Sequence, residues 1–249
     1  MVSCDLIGRM GNQMFQIATS AAHAWRVGQS FAFPDKAQGS YTGETYFKHL
    51  PKVNPRRLFR NYTEHSHRYS PIPAYLKDVK LHGYWQCEKY FVDKSEEIID
   101  LFGIVPVLSD HCSVHIRLCD YIQFKDKHPP VTAEYLYNAM DLMVSKSHTR
   151  KFLVFSDDLQ AAKSILKEYI ESYATGVDVV YCDVVEPKLA LAIMAGCVNN
   201  IIANSSFSWW GAWLNPNPDK IVIAPSVWFG PGNSNLDPTD IYCENWIKI

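Results

Sequence analysis

No pair among the seven cysteines stands at C-x-x-C spacing, and their number is odd. Zinc sites and disulfide frameworks need regular cysteine pairs, so Cys4, Cys87, Cys112, Cys119, Cys182, Cys197 and Cys243 point instead to a reducing compartment. An excess of one charge sign is also missing. A net charge of −2 offers no basic face to nucleic acid, and no nucleic-acid partner is expected. No apolar run reaches the ~20 residues that cross a bilayer. The most apolar stretch, residues 189–203, is broken by Asn199 and Asn200. Met1 leads into Val2-Ser3-Cys4-Asp5 without a basic leader region. The expectation is a cytoplasmic chain with no signal peptide and no stable membrane insertion. Glycosylation sequons at Asn61 and Asn204 read as coincidences. Repeats and low-complexity segments are absent. What remains is an ordinary globular composition, 47% hydrophobic and 20% charged, in 249 residues, which allows one large or two compact domains. The 13% aromatic content suits carbohydrate stacking and a tightly packed core equally.

What is present is alternation of strands and helices. Residues 2–7 read as a strand, 8–13 as a Gly-containing loop and 14–27 as a helix, with Phe15, Ala18, Ala22 and Trp25 at helical spacing. Gly8 and Gly11 allow positive φ or close backbone approach. The loop lacks the G-K-[ST] ending of a P-loop. Residues 34–80 are irregular, punctuated by Pro34, Pro51, Pro55, Pro71 and Pro73, with Lys52, Arg56, Arg57 and Arg60 among them. They read as a solvated connection or an acceptor-facing insertion. Residues 79–85 resume a strand and 88–101 a helix, before Gly103 and Pro106 break the pattern. A domain boundary near there gives domains of 1–108 and 109–249. In the second, strands at 113–116, 152–155, 177–181, 200–203 and 221–224 alternate with helices at 132–145, 159–172 and 187–196. Such alternation implies an α/β fold with a parallel sheet.

Three loops follow strands of the second half. One carries His115, Arg117 and Asp120, another Ser156, Asp157 and Asp158, and the third Asn204-Ser205-Ser206-Phe207-Ser208-Trp209-Trp210-Gly211-Ala212-Trp213. Parallel strands deliver such loops to one sheet edge, where ligands of open α/β sheets bind. The third loop sets hydroxyls and an Asn ahead of three tryptophans, which fits a helix N-terminus that meets an anion and then packs by its Trp face. An Arg holds a diphosphate bidentately, and a carboxylate accepts from a purine or a ribose hydroxyl. Together these residue types suit a nucleoside-diphosphate ligand. Plainer readings stand beside this one: Arg117 and Asp120 pairing with each other, Asp157-Asp158 as helix N-terminal acids, and His115 as a core residue.

The chain resembles the inverting α-1,2-fucosyltransferases of glycosyltransferase family 11, relatives of the α-1,6- and protein O-fucosyltransferases. Gly8-Arg9-Met10-Gly11-Asn12-Gln13-Met14-Phe15-Gln16 is similar to the family's G-x-x-G-N-Q-x-F-Q opening. Leu81-His82-Gly83-Tyr84-Trp85-Gln86-Cys87-Glu88-Lys89-Tyr90-Phe91 is similar to G-Y-[FW]-Q-S-x-K-Y-F, and His115-Ile116-Arg117-Leu118-Cys119-Asp120-Tyr121 to H-x-R-R-G-D-Y. Phe155-Ser156-Asp157-Asp158, Asn204 to Gly211 and Trp246-Ile247-Lys248-Ile249 match later motifs. The resemblance covers nearly the whole chain. It implies two facing Rossmann-like domains of GT-B type, with GDP-β-L-fucose bound mainly by 109–249 and the acceptor side on 1–108. It implies that Arg117 holds the β-phosphate and that Asp120 orients Arg117 or reaches the sugar. His115 would contact the donor near ribose or phosphate, and Asp157 or Asp158 would read guanine or ribose. Ser205, Ser206 and Phe207 would bind phosphate, and Asn12 would approach the diphosphate.

Fucosyl transfer builds negative charge on the departing GDP, which an oriented Arg and N–H donors stabilise where it develops. No D-x-D stands at a strand end, so no metal and no cofactor is expected. The expected partners are GDP-fucose and a galactose-containing glycan. Two departures from the family pattern stand in its H-x-R-R-G-D-Y motif, Leu118 for the second Arg and Cys119 for the Gly. They keep two alternatives open: a fucosyltransferase of another linkage or protein acceptor, and a nucleotide-sugar-binding protein with weakened catalysis. Asp5, Glu88 and Asp120 are carboxylates in or beside motifs, and none is singled out as a general base.

Overall fold

The computed structural model describes residues 1–39, 41–54, 56–173 and 176–249. Pro55 lies outside them. Contacts divide the chain into two units, Met1–Gly103 with Leu236–Cys243, and Ile104–Asn235 with Glu244–Ile249. Each is described by itself.

The first unit holds a three-stranded parallel sheet in the order β1-β3-β2, with β1 at Val2–Cys4, β2 at Arg60–Thr63 and β3 at Val79–His82. Strand β2 emerges from the stretch read as irregular. Three of its four residues are exposed, so no apolar run announces it, and backbone pairing with β3 alone defines it. Helix α1, Met10–Arg26, starts earlier than the sequence indicated. Gly8 makes the turn alone, at φ +79, so Gly11, Asn12 and Gln13 are already helical. Side chains of the helix tie down this turn in place of a cap. Gln13 Nε2 donates to Gly8 O at 3.0 Å, and Gln16 Oε1 accepts from Ile7 N at 2.8 Å. Helix α1 is buried nearly all round, including Gln13, Gln16, Thr19, Ser20 and His23. The helix expected at 88–101 resolves into two short 3-10 turns, at Glu88–Tyr90 and Val92–Lys94, and helix α2 at Ser95–Phe102. Phe91, at φ −147, separates the two turns. Leu236–Cys243 joins this unit through buried Asp240, which accepts from Tyr69 N at 2.9 Å and lies 2.6 Å from Lys89 Nζ.

The second unit holds a six-stranded parallel sheet in the order β6-β5-β4-β7-β8-β9. The strands are β4 Ser109–Ile116, β5 Lys151–Ser156, β6 Asp178–Tyr181, β7 Cys197–Ile201, β8 Val222–Ala224 and β9 Ile247–Lys248. Counted from β4, this is the doubly wound order, which reverses direction between β4 and β7. The helices are α3 Cys119–Gln123, α4 Ala133–Ser147, α5 Leu159–Glu168, α6 Pro187–Gly196 and α7 Ser206–Trp213. Thr132 caps α4 by accepting from Tyr135 N at 3.1 Å, and Glu186 caps α6 by accepting from Leu189 N at 2.6 Å. Leu136, Met140 and Met143 of α4 pack on Phe152 and Val154 of β5 and Leu166 of α5, all fully buried.

Strand β7 starts earlier than expected, because α6 runs straight into it at Cys197. Asn199 and Asn200, which interrupt the apolar run, are therefore strand residues. Asn200 Nδ2 donates to Ser113 Oγ at 2.7 Å, and Asn215 Nδ2 to Asn200 Oδ1 at 2.8 Å, so these amides are satisfied inside the core. Strand β9 was not expected: two residues carry no periodicity. Among the described residues, no helix is long and apolar enough to cross a membrane.

Candidate functional site

The register brings three strand ends together. His115 lies opposite Phe155 and Ile116 opposite Ser156 across β4 and β5, and Val114 lies opposite Ile201 across β4 and β7. The segments leaving β4, β5 and β7 therefore emerge side by side, where the strand order reverses. That is the crevice in which open α/β sheets bind ligands. His115, Arg117, Asp120, Asp157, Asp158, Ser205, Ser206 and Phe207 all stand at this edge. Asn12 belongs to the first unit, in the opening turn of α1, where its Oδ1 accepts from Gln86 Nε2 at 2.9 Å.

Arg117 is the centre of the arrangement. Its Nη2 lies 2.7 Å from Asp120 Oδ1 and its Nη1 3.1 Å from Asp157 Oδ2. The ring of Tyr121 sits against it, with the guanidinium carbon 5.7 Å from the ring centre. The Arg117 side chain is 17% exposed, so it is partly dry yet open on one side. Two carboxylates flank the guanidinium as ion pairs, although Asp120 Oδ1 is buried and makes no aligned hydrogen bond with it. The pairing of Arg117 with Asp120 that the sequence allowed does occur, and it is part of a larger clamp.

Asp157 spends its second oxygen on the backbone, accepting from Leu118 N at 2.8 Å. Its backbone carbonyl accepts from Cys119 Sγ at 3.3 Å. Asp158 takes the plainer role weighed for it: its Oδ1 caps α5, accepting from Ala161 N at 3.0 Å. The two departures have ordinary local environments. The Leu118 side chain is 4% exposed and packs into the core, while its N–H braces Asp157. Cys119 opens α3 and is not among the positive-φ residues, so cysteine is unstrained there.

Across the crevice, Ser205 caps α7, its hydroxyl accepting from Phe207 N at 3.4 Å. The first turn of a helix directs N–H groups outward, with the positive end of the dipole behind them. Ser208 is fully buried and donates within the turn, 3.3 Å from Ser205 O and 3.4 Å from Ala203 O. Of the three hydroxyls, it is the one turned into the fold. Trp209 and Trp210 are fully buried. Asn204 donates to Pro129 O at 2.9 Å and Trp228 O at 3.0 Å, which fastens the head of α7 to two neighbouring segments.

His115 has the burial of the core-residue reading. It is buried on β4, and its ring centre stands 5.9 Å from that of Phe207. Nδ1 is buried without a partner among the described residues. Loss of hydration, and then the nearby Arg117 charge, push its pKa down to about 3, so the imidazole is neutral at physiological pH. The sign for stability follows. Between about pH 6.5 and 3 the unfolded chain binds a proton at His115 that the folded chain refuses, so stability falls as pH falls through that window. His23 and His128, also shifted down by burial, act in the same direction. Denaturant unfolding at pH 7 and pH 5 is expected to show a loss of about 2 kcal/mol from His115 alone, with the pH slope flatter by about one proton in His115→Gln. Equal slopes in the two proteins would show that His115 titrates normally.

Tyr121 escaped the sequence reading as a site residue. Its hydroxyl donates to Asn204 O at 2.9 Å, and its ring stacks on His128 at 5.4 Å. The signal available was its place at the end of the His115–Tyr121 motif. Among the described residues, no group of three or more His, Cys, Asp or Glu is placed to hold a metal ion.

Comparison with known proteins gives the family and the fold. The sequence model of glycosyl transferase family 11 matches residues 1–249. The chain is 29% identical to an alpha-1,2-colitosyltransferase of Escherichia coli over 292 aligned positions, covering 100% of this chain and 99% of that protein. It is 33% identical over 140 residues to the O-antigen biosynthesis glycosyltransferase WbnK of Escherichia coli, covering 55% of this chain and 44% of the other. Among solved structures, POFUT1 in complex with GDP superposes with a TM-score of 0.52 at 12% identity, over 90% of this chain and 97% of that one. That likeness shows the α/β fold.

Proposed function

The chain belongs to glycosyl transferase family 11, and from that premise we propose that it transfers L-fucose from GDP-β-L-fucose to the 2-hydroxyl of a galactoside, with inversion and without a metal. The observation that carries this reading is Arg117, held by Asp120 and Asp157 at the sheet's reversal point beside the N-terminus of α7.

Breaking the bond between C1 of the sugar and the β-phosphate oxygen leaves the electron pair on GDP. The free N–H groups of Arg117 and the first-turn N–H groups of α7 meet that charge as it forms. Because they are already oriented, they reorganise little during the reaction. Ser205, Ser206 and Phe207 contribute the α7 side of the cradle. Neutral His115 offers a hydrogen bond to ribose or phosphate without adding charge. Asp158 keeps one oxygen beyond its cap for guanine or ribose, whereas both oxygens of Asp157 are engaged within the chain. Attack of the acceptor oxygen on the face opposite the departing phosphate turns a β-linked donor into an α-linked product, and the acceptor's hydroxyl proton is released to water or to the departing GDP. With the diphosphate met by Arg117, a divalent cation is not required.

A second reading concerns the sugar. The relative matched over its full length is named an alpha-1,2-colitosyltransferase, which favours a 6-deoxyhexose other than fucose with the same linkage. A protein that binds a nucleotide sugar without turnover is less favoured, since neither Leu118 nor Cys119 disturbs the clamp on Arg117.

Incubation with GDP-fucose or GDP-colitose and a panel of β-galactosides, with GDP release and product linkage followed, tests the proposal. Acceptor-dependent GDP release, an α-1,2-linked product and an unchanged rate in EDTA are expected. Activity lost in EDTA and restored by magnesium or manganese would overturn metal independence. Binding without turnover of either donor would leave only the nucleotide-sugar-binding reading.

A further inference from the structure

Arg117 leaves the end of β4 and the Ser205-capped helix leaves the end of β7, on opposite sides of the reversal point. Two carboxylates aim Arg117, but both belong to the β4 and β5 side. Something has to set the distance between Arg117 and the helix that shares its ligand. Tyr121 spans that gap. Its ring lies against the guanidinium at 5.7 Å, and its hydroxyl reaches the other side to donate to Asn204 O at 2.9 Å. The ring also stacks on His128, at 5.4 Å and an interplanar angle of 25°. Asn204 is itself anchored, through Pro129 O and Trp228 O, so the phenol bonds to a fixed point.

We propose that Tyr121 is a positioning residue that couples Arg117 to the N-terminus of α7, so that the two halves of the diphosphate cradle act as one unit. This rests on the diphosphate reading of the site and adds to it a residue outside the binding set. Burial pushes the phenol up to about 12, so it remains a hydrogen-bond donor across neutral pH. The ring carries no charge to the ligand and need not touch it. Its work is to hold Arg117 and α7 at the spacing of two bridged phosphates, and its removal should be felt only by a ligand that engages both.

The test is a double-mutant cycle on nucleotide affinity. Calorimetric titration of GDP and of GMP is made on the wild type, Tyr121→Phe, Arg117→Ala and the double variant. Tyr121→Phe keeps the ring and loses only the hydroxyl. It is expected to weaken GDP about tenfold, the scale of one lost hydrogen bond, and to leave GMP within about twofold. In the Arg117→Ala background the same change should leave GDP affinity unaltered. Steady-state transfer by Tyr121→Phe should show a raised donor KM, because GDP-fucose carries the same diphosphate, together with a lower kcat. Equal weakening of GDP and GMP, or the same loss in both backgrounds, would mean a merely structural tyrosine and overturn the coupling. So would unchanged GDP affinity. A wild type that does not prefer GDP to GMP would instead remove the diphosphate reading itself, whatever Tyr121 does. Unfolding midpoints of all four proteins separate loss of fold from loss of coupling. Should Tyr121→Phe fail to fold, His128→Ala, which removes the ring stacked on Tyr121, makes the same comparison of GDP against GMP.

Discussion

Arg117→Ala is expected to lower kcat/KM for glycosyl transfer by about 10²–10³-fold, the scale of removing an oriented donor from a developing anion. The cause is specific. The guanidinium supplies the charge, and Asp120 and Asp157 supply its aim, at 2.7 and 3.1 Å. Alanine removes the first and leaves two carboxylates facing an empty centre, which further disfavours a diphosphate. The fold should survive at some cost in stability, because Asp157 and Asp120 keep 20% and 35% exposure at the sheet edge even though Asp120 Oδ1 itself is buried. Arg117→Lys should recover little: one ammonium cannot bond two carboxylates and a phosphate in one plane. Steady-state kinetics beside an unfolding curve check this. Near-normal turnover in the alanine variant would remove the leaving-group argument.

Trp209→Ala is expected to act in the opposite way, costing about 3–5 kcal/mol of stability, the range for a buried aromatic truncated to alanine. Trp209 is fully buried and lies at the centre of a tryptophan cluster. Its ring centre is 5.0 Å from Trp210, 6.2 Å from stacked Trp213 and 5.5 Å from Trp246 near the C-terminus. The surrounding rings are too rigid to close the void, so both transfer energy and cavity cost are felt. Because Trp209 belongs to α7, any remaining folded protein should also bind nucleotide less tightly. Urea unfolding followed by tryptophan fluorescence measures the loss. A change below about 1 kcal/mol would mean that the cluster is not a packed core.

These two residues show what the sequence made legible and what it did not. The polar head and aromatic tail of 204–215 were readable because hydroxyls and tryptophans have incompatible preferences, and a helix start satisfies both. Strand ends carrying His115, Arg117 and Asp157 were readable from apolar runs with polar stops. That the runs lie side by side follows from the sheet order, which no local pattern contains. Residue-level roles were harder. Asp157 and Asp158 are neighbours in sequence with the same chemistry, yet one pairs with Arg117 and the other caps α5, because both follow the end of β5 at Ser156 and Asp158 alone stands directly before α5. Tyr121 was hidden because its partner is a backbone carbonyl far along the chain, and any residue can supply one. Strand β2 was hidden because it is held by backbone bonds and buries little. Helix α1 was placed late because two glycines looked alike, and only Gly8 carries the positive φ.

On the proposed function, Arg117 and the head of α7 hold the diphosphate of a departing guanosine nucleotide without help from a metal. The most direct measurement is the ratio of GDP to GMP affinity of the wild-type protein, by calorimetry in EDTA. The β-phosphate that the proposal assigns to Arg117 is absent from GMP, so GDP should bind at least about tenfold tighter, as a charge-assisted contact requires. Equal affinity for the two nucleotides, or a preference that appears only when magnesium is added, would contradict the account.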